Sequence, residues 1–472
     1  MASRDEEGKP SFSFFFFPSS SFCSSFLFGF RCVVFVSLCC LLWLRFLFYT
    51  FPLLAPTGSA RASQLSSSPP ATCDPSIARF YVHRLHPRFN SDVVQRCLSR
   101  YACCRICPNV GHSGLGRPLL RLPADADVDP GLTSWYATHP LSAEVIFNAR
   151  VERHPCRTTD QAAAELFYVP FFASLHAATS FRQNNRDALA VELAEHLASL
   201  SAFRRRGGRD HFLVVGRTSW DFMRKPAYPD FDANHLLLIP EVANMTVLTV
   251  ERHPWEGRNQ FGIPYPSYFH PRTAEDVADW QAELRRFART RSFLFAFVGG
   301  LQPGREKAAV RTSLMAQCWK SNRCLPVHCE PVLHKCDDPG RVLDVMRRAD
   351  FCLQPPGESF SRRSTFDAIL AGCIPVFLSE HSAYSQYQWY LPARPEDWSV
   401  LLKPDQWDRV EEELARIHRN VVAKMRETVI ELIPKISYAH PDSSGNELGF
   451  QDAVDIALVE LTKRVRSNQD GS

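Results

Sequence analysis

The segment 349–378 constrains the fold of this chain strongly, because it predicts a complete strand–helix–strand unit. It reads ADFCLQPPGESFSRRSTFDAILAGCIPVFL. An apolar strand ends at Gln354 and is followed by a Pro-Pro-Gly turn. A helix is expected from Arg362 to Gly372, and a second apolar strand starts at Ile374. Two strands joined through a helix pair in parallel, and the helix covers one face of the sheet.

The same alternation extends over the region that follows Cys73. Strands are predicted at 79–83, 166–170, 212–216, 235–239, 247–251, 293–298, 350–354 and 374–378. Helices are predicted at 189–204, 275–289, 304–320, 340–348, 362–372 and 406–432. This pattern predicts two Rossmann-like α/β domains that face each other across a cleft, with ligands at the carboxyl ends of the strands.

A Pro-rich stretch from Phe261 to Pro271 separates the two sets of strands. We therefore predict an N-terminal Rossmann-like domain that binds the acceptor and a C-terminal domain that binds a nucleotide sugar, followed by a helical tail. The predicted boundaries are 73–270, 271–434 and 435–472.

The N-terminal region predicts a membrane anchor. Residues 26–54 are almost wholly apolar, and the cost of burying Arg45, about 2.5–3.5 kcal/mol, is outweighed by the apolar residues around it. The positive-inside rule places residues 1–25 in the cytosol as a tail. Residues 55–72, rich in Ser, Pro and Ala, form a stem. The alternative is a signal peptide cleaved at Gly58-Ser59-Ala60.

Charge and cysteine content exclude some classes of protein. The 472 residues carry a net charge of only +4, so we expect no nucleic-acid partner. Sixteen cysteines are many for a cytosolic protein. Twelve of them lie between Cys73 and Cys373, and an even number after a membrane segment predicts disulfides formed in an oxidising lumen.

The turn after Gln354 opens onto the N-terminus of a helix. That geometry attracts anions, because free N–H groups and the helix dipole point at the loop. Arg362 and Arg363 add positive charge and can hold phosphate oxygens in a fork. Asp367, four residues after Arg363, is placed to hold that arginine or to accept hydrogen bonds from a ribose. The alternative is a surface ion pair worth about 0.3–0.5 kcal/mol.

Several long motifs resemble one known family, the exostosin-type glycosyltransferases of family 47, in the plant branch that contains xyloglucan galactosyltransferases. The matching stretches are FCLQPPGESFSRRSTFDAILAGCIPVF (351–377), SAYSQYQWYLP (382–392), CRTTDQAAAELFYVPFFASL (156–175), HFLVVGRTSWDF (211–222) and FGIPYPSYFHP (261–271). The resemblance covers nearly everything from Cys73 to about Pro434.

The resemblance implies a GT-B fold, an inverting mechanism and a nucleotide-sugar donor, usually linked to uridine diphosphate. Carried onto this chain, it makes the donor-binding residues Gly357, Glu358, Ser359, Arg362, Arg363 and Asp367, with the Gly299-Gly300 turn as a further candidate on the phosphate side. The two arginines and the helix N-terminus can stabilise the leaving diphosphate without a metal, so we expect no metal cofactor and assign Arg363 a catalytic role.

Inversion also requires a base that takes the proton of the acceptor hydroxyl. Asp221 is the candidate, because it follows a predicted strand and should face the cleft; the alternative is an acid that caps the start of a helix. His83 and Glu251 also lie at strand ends, and we expect both to be structural. Three aromatic residues are candidates for stacking on sugar rings, with buried packing as the alternative: Trp220, Tyr387 and Trp389.

One strand departs from the family pattern. The first lumenal strand of the family commonly reads Tyr-Val-His-Asp-Leu-Pro, whereas this chain has Arg84 in place of the acid and His86 in place of the proline. If that acid contacts the acceptor or the base, the substitutions change acceptor choice or activity.

Metal binding is not predicted. Asp125, Asp127 and Asp129 match the letters of an Asp-X-Asp motif, but no strand precedes them, which favours an exposed acidic loop. Cys104 and Cys107 form a C-x-x-C without the partner motif of a zinc site.

Disulfides are favoured for most of the lumenal cysteines. One group includes Cys97, Cys103, Cys104 and Cys107 together with Cys73 and Cys156, and a second includes Cys318, Cys324, Cys329 and Cys336. Cys352 and Cys373 are expected on adjacent strands as buried thiols.

The leading hypothesis is an inverting transferase that moves β-galactose from UDP-galactose onto xyloglucan side chains during cell-wall synthesis. It would be a single-pass type II protein of the Golgi membrane, in complex with other Golgi glycosyltransferases. One alternative is another donor, UDP-galacturonic acid or UDP-arabinose. A second is a non-catalytic glycan-binding partner of an active transferase. Asn244-Met245-Thr246 is an N-glycosylation sequon, or else a chance triplet in a loop.

Overall fold

The structure is a computed structural model that describes residues 72–99, 106–119, 133–180, 183–225, 233–301, 309–329, 336, 338–443 and 448–470. The predicted cytosolic tail, membrane segment and signal-peptidase sequence lie outside these residues, as does the stem up to residue 71. Within the described ranges, no helix combines the length and the apolar character needed to cross a membrane. The described ranges fall within one compact unit that runs from Ser68 to Ser472.

Six parallel strands form the first sheet, in the order β2-β1-β3-β4-β5-β6. Its central strands β4 and β5 are buried along nearly their whole length, as expected for a parallel sheet covered on both faces. The strands are β1 Phe80–Val82, β2 Arg157–Thr158, β3 Leu166–Tyr168, β4 His211–Thr218, β5 Thr246–Glu251 and β6 Gln260–Gly262.

Five parallel strands form the second sheet, in the order β11-β10-β9-β7-β8. They are β7 Phe293–Gly299, β8 Cys324–His328, β9 Ala349–Gln354, β10 Ile374–Phe377 and β11 Val400–Leu401. We call the first sheet with its helices the first lobe, and the second sheet with its helices the second lobe. In each sheet all carboxyl ends lie along one edge, where α/β folds bind their ligands.

Helices cover the faces of both sheets. The α-helices span Ser91–Ser99, Ala143–Glu152, Ala173–Ser180, Ala188–Ser199, Ser201–Arg206, Pro240–Ala243, Ala274–Phe287, Ala309–Lys320, Pro339–Arg347, Arg363–Leu370, Val410–Ala415, Arg419–Glu431, Ile433–Ile436 and Ala453–Asp470.

The strand–helix–strand unit predicted at 349–378 is present as β9, the Arg363–Leu370 helix and β10. The helix ends because Gly372 takes a left-handed backbone conformation with φ +61°, which glycine adopts without steric cost. The buried Leu370 carbonyl accepts a hydrogen bond from Trp280 Nε1 at 2.8 Å, so the end of this helix is also tied to the Ala274–Phe287 helix.

Two predicted elements differ from the structure. The run 235–239 is not a strand but a 3-10 turn, Leu236–Leu238, that leads into the Pro240–Ala243 helix. A short apolar run does not by itself distinguish a strand from a buried helical turn. The helix predicted at 406–432 is interrupted near His418, whose side chain accepts a hydrogen bond from the N–H of Asn420 and starts a new helix.

The last helix, Ala453–Asp470, packs on the first lobe although it follows the second lobe in sequence. Thr462 accepts a hydrogen bond from the N–H of Ala78 at 2.8 Å. Asp452, just before the helix, accepts one from Arg150 Nε at 2.9 Å, and both side chains are buried. The segment predicted as a helical tail is therefore part of the core that connects the two lobes.

Five disulfides lie within the described part of the chain. They are Cys73–Cys156, Cys97–Cys107, Cys318–Cys324, Cys329–Cys336 and Cys352–Cys373. Both expected groups therefore contain disulfides, while Cys103 and Cys104 lie outside the described residues. Cys352 and Cys373 are buried, as expected, and they also form a disulfide, because parallel pairing of β9 and β10 brings their Cα atoms to 5.8 Å.

Candidate active site

The carboxyl edges of the two sheets meet at Glu251, the last residue of β5. Glu251 is completely buried. Its carboxylate accepts hydrogen bonds from the backbone N–H of Phe360 at 3.1 Å and from that of Ser361 at 2.8 Å. It also accepts bonds from the Ser361 hydroxyl and from Trp220 Nε1. Glu251 thus fixes the loop after β9 to the first lobe.

Two N–H groups of the loop are not free to face a ligand. Those of Phe360 and Ser361 donate to the carboxylate of Glu251. Both residues precede the Arg363–Leu370 helix, so anion binding at the N-terminus of that helix stays a prediction. Side chains add positive charge beside the loop.

A second pair of contacts joins the lobes next to Glu251. The N–H of Arg252 donates to Gln386 Oε1 at 2.8 Å, and Gln386 Nε2 donates back to the Arg252 carbonyl at 3.1 Å. The Tyr387 hydroxyl donates to the Val250 carbonyl at 2.7 Å. Tyr387 is therefore a buried packing residue rather than a surface for a sugar.

Arg362 curls back over its own loop. Its guanidinium donates to the Ser359 carbonyl at 2.8 Å, to the Ser359 hydroxyl at 3.1 Å and to the Ser361 carbonyl at 3.0 Å. All three acceptors are neutral, so these bonds orient the guanidinium without compensating its charge. A Cβ added to Gly357 would collide with this guanidinium, which explains why the turn contains glycine.

Arg311, on the Ala309–Lys320 helix, places a second guanidinium beside the same turn. Its Nη1 lies 3.1 Å from where a Cβ of Gly357 would be, and its Nη2 lies 2.8 Å from the corresponding point at Gly299. Burial, and then repulsion by Arg362, lowers the pKa of Arg311 to about 10, so it is still cationic at neutral pH. Among the described residues, no hydrogen-bond or acidic partner of Arg311 is found, and its Nε is buried without one.

Arg311 and Arg362 lie beside both predicted glycine turns, which therefore belong to a single cationic site. Gly299 ends β7, and Gly357 follows β9, its neighbour in the sheet. Two guanidinium groups close together disfavour each other's charge unless an anion lies between them. We call Gly299, Arg311, Gly357 and Arg362 the arginine pair site; its chemistry suits a ligand with several anionic oxygens.

Asp367 holds Arg363, which is one of the two roles predicted for it. Arg363 stacks its guanidinium over the Tyr268 ring at 3.6 Å and donates to the Thr138 carbonyl at 2.7 Å. Asp367 is buried, and it pairs with Arg363 at 3.3 Å while accepting a hydrogen bond from Ser267 at 2.5 Å. Burial raises the pKa of Asp367, partly offset by Arg363. These contacts hold the helix after the loop against the first lobe, and the roles of both residues in donor binding stay predictions.

Asp221 lies at the same edge of the first lobe. It follows Trp220, whose indole is bonded to Glu251, and its carboxylate is partly exposed. Arg217 Nε donates to Asp221 Oδ2 at 2.5 Å. The structure therefore places Asp221 near the donor loop with a cation beside it, and its role as a base stays a prediction.

The remaining residues singled out in the sequence are either packed against other side chains or exposed. His83 is buried and stacks on His211 at 5.1 Å between ring centroids; burial lowers its pKa to about 3. Trp389 stacks on Phe261 at 4.7 Å. Arg84, His86 and Glu358 are exposed, as is Asn244, so the sequon is accessible.

A cavity of about 570 Å³ lies beside the loop, next to the carboxyl ends of β10 and β11. His381 lines it and contacts Phe360 of the loop at 5.2 Å between ring centroids. The other lining residues are Glu380, Tyr384, Ser385, Gln388, Pro395, Glu396, Ser399 and Leu401. Its size is that of a site for a small ligand.

No group of three or more His, Cys, Asp or Glu side chains is placed to hold a metal ion within the described part of the chain. The Asp-X-Asp letters at Asp125, Asp127 and Asp129 lie outside that part.

Sequence reasoning missed Arg311 and the bridging role of Glu251. Arg311 lies inside the predicted helix 304–320, where one more arginine reads as an ordinary surface charge. Its position beside Gly357 depends on the pairing of β7 with β9, which residue spacing does not reveal.

Comparison with known proteins agrees with the architecture. Residues 76–415 match the model of the Exostosin GT47 domain. The chain therefore belongs to the exostosin GT47 family of glycosyltransferases, and its two parallel α/β sheets form a GT-B-like fold.

Three relatives from Arabidopsis thaliana show how similar this chain is to others. It is 48% identical over 408 residues to probable xyloglucan galactosyltransferase GT17, covering 86% of each chain. It is 38% identical over 407 residues to xyloglucan galactosyltransferase MUR3, covering 84% of this chain and 64% of that one. It is 34% identical over 402 residues to xyloglucan-specific galacturonosyltransferase 1, covering 82% of this chain and 57% of that one.

Proposed function

We propose that this glycosyltransferase moves galactose from UDP-galactose onto xyloglucan side chains with inversion at the anomeric carbon. The observation that carries the donor class is the arginine pair site: two cations, without acidic partners among the described residues, beside two glycine turns at the carboxyl ends of adjacent strands. The names of the relatives at 48% and 38% identity support galactose as the sugar and xyloglucan as the acceptor.

The diphosphate of the donor binds between Arg311 and Arg362. Because neither Gly299 nor Gly357 has a side chain, the two guanidinium groups can lie against the backbone of both turns. Because Arg362 is already oriented by three hydrogen bonds, little reorganisation is needed as negative charge builds up on the leaving diphosphate. The adjacent 570 Å³ cavity takes the nucleoside, and His381 connects it to the loop.

The acceptor hydroxyl loses its proton to Asp221 as it attacks the anomeric carbon from the side opposite the diphosphate. The exposed part of the carboxylate and its place next to Trp220 support this role. Arg217 holds the carboxylate in one orientation. The positive charge of the arginine pair supports a reaction that needs no metal.

Galacturonic acid is the second candidate for the transferred sugar. Its support is the 34% identity to a relative named as a galacturonosyltransferase. Arabinose from UDP-arabinose is a further donor to be tested. A non-catalytic, glycan-binding role is supported by Arg84 and His86 in place of the usual acid and proline, and it is opposed by a charged site in which Arg311 has no hydrogen-bond or acidic partner among the described residues.

The cellular setting follows from the first residues and the cysteines. We propose a type II protein anchored in the Golgi membrane by residues 26–54, with the described residues in the lumen. Five disulfides and an exposed sequon at Asn244 support an oxidising, glycosylating compartment.

The test uses the full-length chain in detergent with a panel of UDP-sugars and xyloglucan oligosaccharides, and it measures UDP release and product mass. We expect transfer from UDP-galactose, retained in EDTA and lost in the Arg311→Ala/Arg362→Ala double variant. A preference for UDP-galacturonic acid would select the second candidate. Absence of turnover with every UDP-sugar, in a folded protein, would contradict the enzymatic proposal.

A further inference from the structure

An exposed tryptophan lies where the two lobes are in contact. Trp255 lies in the turn after β5 with 68% of its surface exposed. Among the large apolar side chains in the described ranges, that of Trp255 is the most exposed. An indole combines a large flat apolar face with a polar N–H group, which suits it to binding at a surface that is partly wet.

Three rings from both lobes hold Trp255 in position. Its ring centroid lies 5.7 Å from that of His253 in the first lobe. It lies 5.9 Å from Phe360 and 5.4 Å from His381 in the second lobe. All three rings are inclined by 71–78° to the indole, so they contact it without covering it by parallel stacking.

The backbone of this turn is also fixed. His253 Nδ1 accepts hydrogen bonds from the N–H of Trp255 at 3.3 Å and of Glu256 at 2.9 Å. Gly257 follows with φ +80°, in a turn closed by Gln260. The indole is therefore presented by a preorganised turn rather than by a loop that must order on binding.

The position next to Phe360 connects this surface to the reaction. Phe360 belongs to the loop that Glu251 holds and that carries Arg362. The rim around Trp255 is polar, with an ion pair between Lys225 and Glu256 at 3.1 Å. One flat apolar ring with a polar rim fits a neutral pyranose, which presents a C–H face and a ring of hydroxyls, better than it fits a broad protein interface.

We propose that Trp255 is an acceptor subsite, on which a backbone sugar of the neutral β-linked glucan acceptor stacks outside the reacting unit. The proposal rests on the proposed function for the identity of the acceptor. It assigns Trp255 to recognition of a long acceptor and gives it no part in donor binding or in the chemical step. His253 and Phe360 position the indole.

The experiment compares Trp255→Ala and Trp255→Phe with Trp319→Ala in the full-length chain. Trp319 is a matched control, since it is 58% exposed but lies on the Ala309–Lys320 helix and contacts the ring of His328 instead. Calorimetric titration measures the affinity for xyloglucan oligosaccharides of increasing length and, separately, for UDP. Thermal unfolding confirms that the variants are folded.

We expect Trp255→Ala to weaken binding of long oligosaccharides by about fivefold, with Trp255→Phe in between and Trp319→Ala unchanged. The loss should vanish for oligosaccharides too short to reach beyond the reacting unit. UDP affinity should be the same in all variants. Equal oligosaccharide affinity in Trp255→Ala and Trp319→Ala would overturn the proposal, as would a loss confined to UDP.

Both binding measurements are made without turnover. An inactive protein that still binds glucan through Trp255 would contradict the proposed transfer reaction and leave the subsite standing. An active enzyme whose glucan affinity is unchanged in Trp255→Ala would contradict the subsite and leave the proposed transfer reaction standing.

Discussion

Glu251 and Ser361 join the two lobes through the backbone N–H of Ser361, at 2.8 Å, and through its hydroxyl. The two residues belong to different lobes. Glu251 is the last residue of β5 in the first sheet, and Ser361 lies in the loop after β9 of the second sheet. A buried carboxylate that accepts this many hydrogen bonds is held firmly in one position. The loop after β9 in the second lobe therefore takes its shape from contacts with the first lobe.

Replacing Glu251 by Gln should loosen this loop. The amide has the same shape but offers no charge, and one of its ends would place N–H groups against those of the loop. We expect the free energy of unfolding to fall by about 3 kcal/mol, because buried bonds to a charged acceptor are lost. Urea unfolding measures this change. Glu256→Gln, an exposed glutamate in the next turn, should change the free energy by less than about 0.5 kcal/mol; equal effects of the two variants would contradict the bridging role.

Replacing Arg311 by alanine should lower the catalytic efficiency with the UDP-sugar donor. We expect Arg311→Ala to lower kcat/KM for the UDP-sugar by about 10- to 100-fold, the loss of a charged hydrogen bond to phosphate. Arg311→Lys should recover part of this, since it keeps the charge but not the planar fork. Steady-state kinetics with varied donor gives the answer, with Arg323→Ala as control, an exposed arginine 3.6 Å from Glu411. Unaltered donor kinetics in Arg311→Ala would show that the diphosphate does not bind at this site.

Arg363 should behave as a packing residue. Since its guanidinium stacks on Tyr268 and bonds to Thr138, Arg363→Ala is expected to lower the free energy of unfolding by about 2 kcal/mol. The donor KM should change less than in Arg311→Ala. Thermal unfolding and donor kinetics are to be measured on the same preparations. A large rise in donor KM with unchanged stability would instead make Arg363 the phosphate ligand predicted from the sequence.

Asp221→Asn separates the chemical step from binding. If Asp221 is the base, kcat should fall by about 100-fold or more while the donor KM stays within about twofold. Asp160→Asn serves as control, since Asp160 is exposed and only accepts a hydrogen bond from the N–H of Ala162. A kcat close to that of the unmodified protein would exclude Asp221.

Acidification should destabilise the protein through its buried histidines. Burial lowers the pKa of His83 to about 3 from an ordinary value of 6.5, so the folded state holds the neutral ring. The stabilisation is complete above pH 6.5 and is lost as the pH falls towards 3, because only the unfolded chain then binds the proton. Between pH 6.5 and 5 this one group should cost about 2 kcal/mol.

His83→Phe keeps an aromatic ring in the same stack and removes the titration. The Nε2 of His83 has no hydrogen-bond partner among the described residues, so little else is lost. Urea unfolding at pH 7.5, 6.5, 5.5 and 5.0 should show a shallower decline with acid in the variant. Parallel declines in both proteins would show that His83 does not contribute to the pH dependence.

Several features of the fold could be predicted because they depend on local patterns. The run from Phe351 to Gln354 is apolar and ends at a Pro-Pro-Gly turn, which is enough to predict a strand and its end. The run 235–239 is equally apolar, yet it forms a 3-10 turn, because a proline at position 240 starts a helix directly after it. Short edge strands such as Val400–Leu401 are set by pairing with a neighbour and have no pattern of their own.

The candidate site was predicted only in its local parts. Gly299, Gly357 and Arg362 were found, because glycine turns and charges after a strand are visible in order along the chain. Arg363 and Asp367 were assigned to the donor on the family resemblance, and their i,i+4 spacing left an ion pair between them as the alternative. The structure contains that ion pair, on a helix face turned to Tyr268 and Ser267. Spacing alone does not tell whether such a face is turned to a ligand or to packed side chains, because that depends on what the helix packs against.

The sequence alone determined the alternation of strands and helices, the family, the abundance of cysteine and the loop that follows β9. Those features depend on residues close together in the chain or on long motifs. Only the tertiary structure decided that Arg311 lies beside Gly357, that Glu251 occupies the N–H groups of the loop, and that Cys352 pairs with Cys373. Each of these contacts joins residues from separate elements, and the order and packing of the elements place them together.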